Sequence, residues 1–178
     1  GPLMLIIRAV ALSLTLMLSG CQYFDVQSSQ LSSIKNAFFP SPKQLPDSRW
    51  SVLFGGYSAV VQPVSVEKTT LFVNGVDTVS FNGWVVTKVS GLDGFTPAWE
   101  IQDSGKERAF VVNGRVVAKH QCDPWLKYDA QTGVRFEQDC VGKQDYTNTI
   151  LVDSLGQITD IQQVVDSSLM VLRLRLNN

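Results

Sequence analysis

Thr69–Val89 reads TTLFVNGVDTVSFNGWVVTKV, and its alternation decides the fold. Thr69–Val73, Val76–Phe81 and Trp84–Val89 are rich in β-branched and aromatic residues. Between them stand Asn74-Gly75 and Asn82-Gly83. Asn-Gly supplies the two positive-φ positions of a type I′ turn, so the stretch is predicted to be a tight three-stranded meander.

Working outward, the same pattern repeats. Trp50–Phe54 and Tyr57–Val61 flank Gly55-Gly56, and Asn113-Gly114 joins Ala109–Val112 to Arg115–Cys122. Asp103-Ser104-Gly105 turns Trp99–Gln102 into that hairpin. Further strands are expected at Trp125–Tyr128, Val134–Cys140, Thr147–Val152 and Ile158–Val165. In the last segment Leu172, Leu174 and Leu176 alternate with Arg173 and Arg175, as a half-buried strand requires. No long segment after Phe39 has helical period. The expectation is one all-β antiparallel domain over 50–178, with ten or so strands, as a curved sheet, sandwich or partly open barrel.

The N-terminal part is of another kind. Met4–Cys21 has one cationic residue, Arg8, an uncharged apolar run over Ala9–Leu18, and then Ser19-Gly20-Cys21. That is the layout of a secretory signal, too short to span a bilayer comfortably. Leu18-Ser19-Gly20-Cys21 resembles the lipobox of bacterial lipoproteins. The resemblance implies cleavage before Cys21, a diacylglycerol on its thiol and an N-acyl chain on its new amino terminus. Two or three acyl chains anchor a protein stably where one does not. Gln22 stands where Asp would favour retention in the inner membrane, which implies the outer membrane, with the domain facing the periplasm. Residues 1–20 are thus a cloning scar (Gly1-Pro2-Leu3) plus signal, and 21–49 a lipidated cysteine, tether and lead-in segment. Leu31, Ile34 and Phe38 have the spacing of one short helix there, with Phe38 and Phe39 expected to dock on the domain.

Without Arg8, 14 basic residues face 16 acidic ones, a net charge of about −2. Such a balance gives no field for nucleic acid. The partners expected are the membrane, through the lipid, and an envelope protein or a polysaccharide. No cofactor is expected beyond the covalent lipid on Cys21. With Cys21 acylated, Cys122 and Cys140 remain to pair as a disulfide in an oxidising compartment.

Catalytic patterns are thin. His120 is the one histidine and shares a strand face with Cys122, but a bonded sulfur cannot attack. His120, Cys122, Cys140 and the neighbouring Asp123 and Asp139 lack the Cys-x-x-Cys spacing of a zinc site, so no metal is expected. There is no Gly-x-Ser-x-Gly elbow, and the glycines of Gly91–Gly94 belong to a turn with no helix after it. Glu100, Asp103 and Glu107 cluster around one turn as a solvated edge. No catalytic residue is assigned, and the protein is expected not to be an enzyme. Trp84, Trp99, Trp125 and Tyr128 are the candidates for glycan or partner contact, with core packing as the ordinary alternative for any aromatic in a β domain.

Asn82–Leu92 (NGWVVTKVSGL) is similar to the "NGRLVRTAGL" segment of the YjbF/GfcB-like lipoproteins of exopolysaccharide and group 4 capsule export. Tyr146–Val164 (YTNTILVDSLGQITDIQQV) is similar to their "NRYWVDxxGxIxxSxQ" segment. Trp84 replaces the Arg that follows Asn-Gly, and Leu151 stands where the family tends to carry Trp. That family brings no catalytic residues to carry over. The resemblance implies an accessory role in export or assembly of surface polysaccharide. Two other classes fit the same sequence. One is a pilotin-like or structural assembly lipoprotein of a secretion or pilus machine, binding by strand addition. The other is a small glycan-modifying hydrolase, which requires two close carboxylates in a cleft or an unpaired Cys122 beside His120.

Overall fold

The computed structural model describes residues 48–93 and 95–178. The signal, Cys21, the tether and the short helix expected over 31–39 lie outside the described residues.

Thirteen strands follow one another in chain order. They are β1 (Trp50–Phe54), β2 (Tyr57–Val66), β3 (Thr69–Asn74), β4 (Asp77–Phe81), β5 (Val86–Gly91), β6 (Phe95–Asp103) and β7 (Glu107–Val112). They continue as β8 (Arg115–Cys122), β9 (Leu126–Ala130), β10 (Gly133–Val141), β11 (Asp145–Asp153), β12 (Ile158–Val164) and β13 (Val171–Leu176). All pairings are antiparallel. The order β11-β12-β13-β1-β2-β3-β4-β5-β6-β7-β8-β10 returns to β11, closing a twelve-stranded barrel, and β9 adds to β10 outside the ring. Closure reduces the sheet edges to β9 and the part of β8 before Gln121.

The interior is lined mostly by apolar side chains. One layer runs across five strands through Phe136, Ile150, Ile161, Leu174 and Val52, each opposite the next in register and each buried. A second passes through Phe72, Val79 and Val89. Lys88, Glu100, Lys119 and Arg175 face outward and are exposed. This is the inverse of the apolar-out, polar-in pattern of a membrane-spanning barrel. On the outer face of β12 and β13, Asp160 takes three bonds from Arg173, the shortest at 2.7 Å, and a fourth from Arg175 at 3.4 Å. Arg173 and Arg175 thus stand opposite the buried Leu172 and Leu174, as their alternation predicts.

The turns depart from the expected Asn-Gly pattern in two of three cases. Asn113 (φ 51°) and Gly114 (φ 74°) are both left-handed between the paired Val112 and Arg115, the type I′ geometry. At Asn74-Gly75, however, Asn74 pairs with Asp77 inside the ladder. The two-residue turn is Gly75-Val76, with glycine first (φ 56°), as type II′ turns prefer. Asn82-Gly83 does not make a two-residue turn either. Asn82 Oδ1 accepts from the backbone N–H groups of Trp84 (2.9 Å) and Val85 (2.8 Å), and the chain carries both residues inward before β5 starts at Val86. Burying an indole and a valine outweighs a tighter hairpin.

Several strand lengths also differ from expectation: β6 runs Phe95–Asp103 and β11 Asp145–Asp153, each longer than the segments expected there, and β2 and β9 differ too. β2 continues to Val66 because it serves two partners: Tyr57–Val61 pair with β1 and Gln62–Val66 with β3. Pro63 falls in the second half, past the end of β1, where a missing N–H disturbs no ladder on that side. Strand β9 begins at Leu126, one residue after Trp125.

Candidate functional site

The barrel closes at its narrowest ladder. β8 and β10 share only two residue pairs, Cys140↔Cys122 and Val141↔Gln121, before Asp123-Pro124-Trp125 leads away into β9. β9 then takes over the same edge of β10, from Glu137↔Leu126 to Gly133↔Ala130. At the seam Cys122 and Cys140 form a disulfide, with their Cα atoms 4.1 Å apart. Their pairing is the one expected from the cysteine count.

Behind the seam lies a polar cluster that continues the inward-facing rows of four strands. On β7, Arg108 shares a face with Phe110 and is fully buried; on β10, Gln138 lies between Phe136 and Cys140 in the inward row. Arg108 Nη2 donates to Gln138 Oε1 at 2.8 Å. Asn148 on β11 donates to the same oxygen at 3.3 Å, and its own Oδ1 accepts from Val164 N on β12 at 3.0 Å. The chain of bonds therefore passes from β7 to β12 inside the wall.

His120 is buried opposite Arg108 and contacts Phe110 at 4.7 Å between ring centroids. Its Nδ1 lies 2.8 Å from Tyr146 Oη. Burial, aided by the Arg108 charge, lowers the imidazole's affinity for a proton. Burial pushes the Tyr146 phenol up to about 12, against a smaller opposing pull from Arg108. The phenol is therefore protonated and donates to Nδ1, which leaves the ring hydrogen on Nε2. The far side of the ring rests on Gly142, where an added Cβ would stand 2.6 Å from Nε2. With its Nδ1 committed and its face covered, and with Cys122 bonded, the His120–Cys122 pair does not form a nucleophile and base.

Opposite walls also meet. β12 and β5 stand six places apart in the ring of twelve. Yet Gln163 Nε2 donates to Trp84 O at 2.6 Å and Gln163 Oε1 accepts from Val86 N at 2.9 Å. The Gln163 side chain thus reaches across the interior to the opposite wall of the barrel.

The aromatic candidates are dispersed in role. Trp84 is 7% exposed and packs on Trp125 (5.5 Å) and edge-on to Phe136 (5.1 Å). Trp125 is half-buried against it, and Trp99 is half-buried on β6, packed on the core. Tyr128 lies exposed on β9 with the Arg135 guanidinium 5.7 Å from its ring centre. Trp84 and Trp125 are thus brought together, and Tyr128 belongs to the outer face of β9. Glu107 pairs with Lys119 at 3.0 Å on the surface. Among the described residues no group of three or more His, Cys, Asp or Glu is arranged to hold a metal ion.

Arg108, Gln138, Asn148 and Gln163 are the residues that sequence reasoning passes over. Their signal is parity: each occupies the inward row of a strand whose other inward residues are apolar.

No family model matches the chain, and none of the curated proteins matches it. Among solved structures, the chain is similar to the hypothetical lipoprotein YmcC from Escherichia coli K12. The TM-score is 0.54 at 10% identity, covering 83% of this chain and 94% of that one. The likeness is one of fold.

Proposed function

We propose that the protein is a lipoprotein held by Cys21 to the outer membrane, its barrel on the periplasmic side, and that it is a non-enzymatic accessory factor in export or assembly of surface polysaccharide. One observation carries this reading furthest. The two segments similar to the exopolysaccharide lipoproteins, Asn82–Leu92 and Tyr146–Val164, meet through the Gln163 side chain across the barrel. Two distant stretches that jointly fix one packing contact are a better token of common design than two hairpin patterns read separately. The fold shared with a protein described as a lipoprotein supports the anchor. An interior lined mostly by apolar side chains and a bonded Cys122 favour work at the outer surface, where Trp125 and Tyr128 are open to a glycan or a partner. A deletion strain is expected to lose surface polysaccharide and to recover it with the wild-type gene but not with Cys21→Ala. Normal polysaccharide in the deletion strain would refute the role.

A second reading is favoured by β9. Among the described strands it pairs on one side only, all five of its residues are exposed, and Leu126 and Tyr128 present apolar surface. A pilotin-like or structural assembly lipoprotein would use such an edge to add a partner's strand. Co-purification of a secretin or pilus subunit, lost on Lys127→Pro and accompanied by normal polysaccharide in the deletion strain, would establish it instead.

A further inference from the structure

One part of the outer wall carries no charge. Strands β2, β3 and β4 hold a single charged residue, Asp77, which is buried and accepts from Tyr57 Oη and Leu92 N. Their outward rows present Val60, Val64 and Val66, each about half exposed, with Leu71 and Val73 half-buried beside them on β3. Val64 stands directly opposite Leu71. The rest of the outer wall is charged: Lys88 and Glu100 on β5 and β6, Arg135 and Glu137 on β10, Arg173 and Arg175 on β13. A contiguous apolar face of this kind marks a surface for contact.

The chain itself brings an occupant to this place. Arg49 O accepts from Asn177 N, and the next residue, Trp50, pairs with Val61 in the middle of β2. The segment that leads into β1 therefore arrives one strand spacing, about 5 Å, from the apolar row. Within it residues 36–42 read NAFFPSP, uncharged and with two adjacent aromatic side chains. Phe39 stands nine residues before Ser48. Extended, that length reaches about 30 Å, whereas β2 to β4 spans about 10 Å. We propose that Phe38 and Phe39 turn back onto the barrel and cover the outer face of β2 and β3, on Val64, Leu71 and Val73. Two aromatic rings supply a large apolar area, and an attached occupant needs little intrinsic affinity, because its effective concentration is high. β3 and β10 stand six places apart in the ring of twelve. The covered face is thus on the far side from β9, and the tether leaves the barrel opposite Leu126 and Tyr128, keeping that edge clear. The contact itself needs no lipid; only its effect on how the barrel faces the membrane rests on the anchor proposed above.

The test reads methyl resonances of the full chain by NMR, in wild type and in the double variant Phe38→Ser, Phe39→Ser. The methyl signals of Val64, Leu71 and Val73 are expected to carry ring-current displacements that the double variant loses. The core methyl groups of Val52 and Leu174 should keep their positions and so report an intact barrel. Val64→Lys, at an exposed site, should abolish the displacements of Leu71 and Val73 as well. The same losses are expected in a Cys21→Ala background, which separates this contact from the anchor. A contact kept without the lipid supports the assignment even where the deletion strain makes normal polysaccharide. No change at the three outer residues, or an equal change at Val141 on β10, would overturn the proposal. So would displacements that fade on dilution, which would mark a second copy on this face. Displacements found only in the lipidated chain would mark the bilayer as the occupant and would overturn it too.

Discussion

His120 shows how a titratable side chain can be structural. Held neutral by burial and by Arg108, it accepts from the Tyr146 hydroxyl and rests on Gly142. Its affinity for a proton is lower in the folded state than in the unfolded chain, where the ordinary value near 6.5 applies. The unfolded state therefore binds more protons as pH falls below about 6.5, and stability drops in that direction while being fully present above it. The urea midpoint is expected to fall between pH 7.5 and 5.5, and His120→Gln, which can still accept from Tyr146, should flatten that slope. A slope unchanged by the substitution would assign it to other groups. Gly133 is a second residue fixed by its surroundings. A Cβ there would stand 2.0 Å from the Val152 carbonyl oxygen, on the backbone of the neighbouring β11. Backbone cannot yield as a side-chain tip can, so Gly133→Ala is expected to cost about 3 kcal/mol or more in urea unfolding. Gly114, with open space around it, should by contrast accept a β carbon at only the conformational cost of its positive φ.

At the scale of elements, strand existence was legible because the period of two is local: β3, β7, β12 and β13 lie where alternation puts them. Turn geometry was less so. Asn113-Gly114 makes the turn its dipeptide suggests, whereas Asn74 stays in the ladder and Asn82 caps a longer loop. The deciding term at Asn82 is the burial of Trp84 and Val85, which depends on the opposite wall and leaves no mark in the dipeptide. For the same reason the polar cluster stayed hidden. Arg108 and Gln163 sit on inward rows, but only the closed topology brings them to Gln138 and to β5. The aromatics divide on this ground as well, since which tryptophan is covered depends on the wall it faces. Gln163 ties two elements that lie half a barrel apart. Gln163→Met keeps most of the volume and removes both bonds, leaving Val86 N without its acceptor in the core. The expected loss is about 2 kcal/mol, with faster amide exchange at Val86 and little change at Val60 on a distant strand. Equal exchange at both would mean that the contact does not hold the walls.

For the whole molecule, the number of residue pairs at each junction decides where it opens. Most neighbouring strands share five or more pairs, while β8 and β10 share two. A ladder that short cannot by itself hold a ring of twelve closed against chain entropy, so the covalent bond and the Arg108–Gln138 contact carry closure together. The disulfide spans a sequence separation of 18. By loop-closure entropy its loss costs about 3 kcal/mol, spread over the entire unfolded ensemble. The topology adds a local consequence that entropy alone does not. In a Cys122→Ser, Cys140→Ser double variant, amide protection should fall first and most at Gln121, Val141 and Asp123, whose ladder the bond brackets. Val52 and Leu174, across the barrel, should lose only what the global destabilisation takes. Because β9 hangs from β10 below the same seam, its protection should fall with the seam rather than with the core. Uniform loss of protection across all thirteen strands would show that the bond acts only on the unfolded chain, and that the two-pair ladder is closed by the packing of the walls instead.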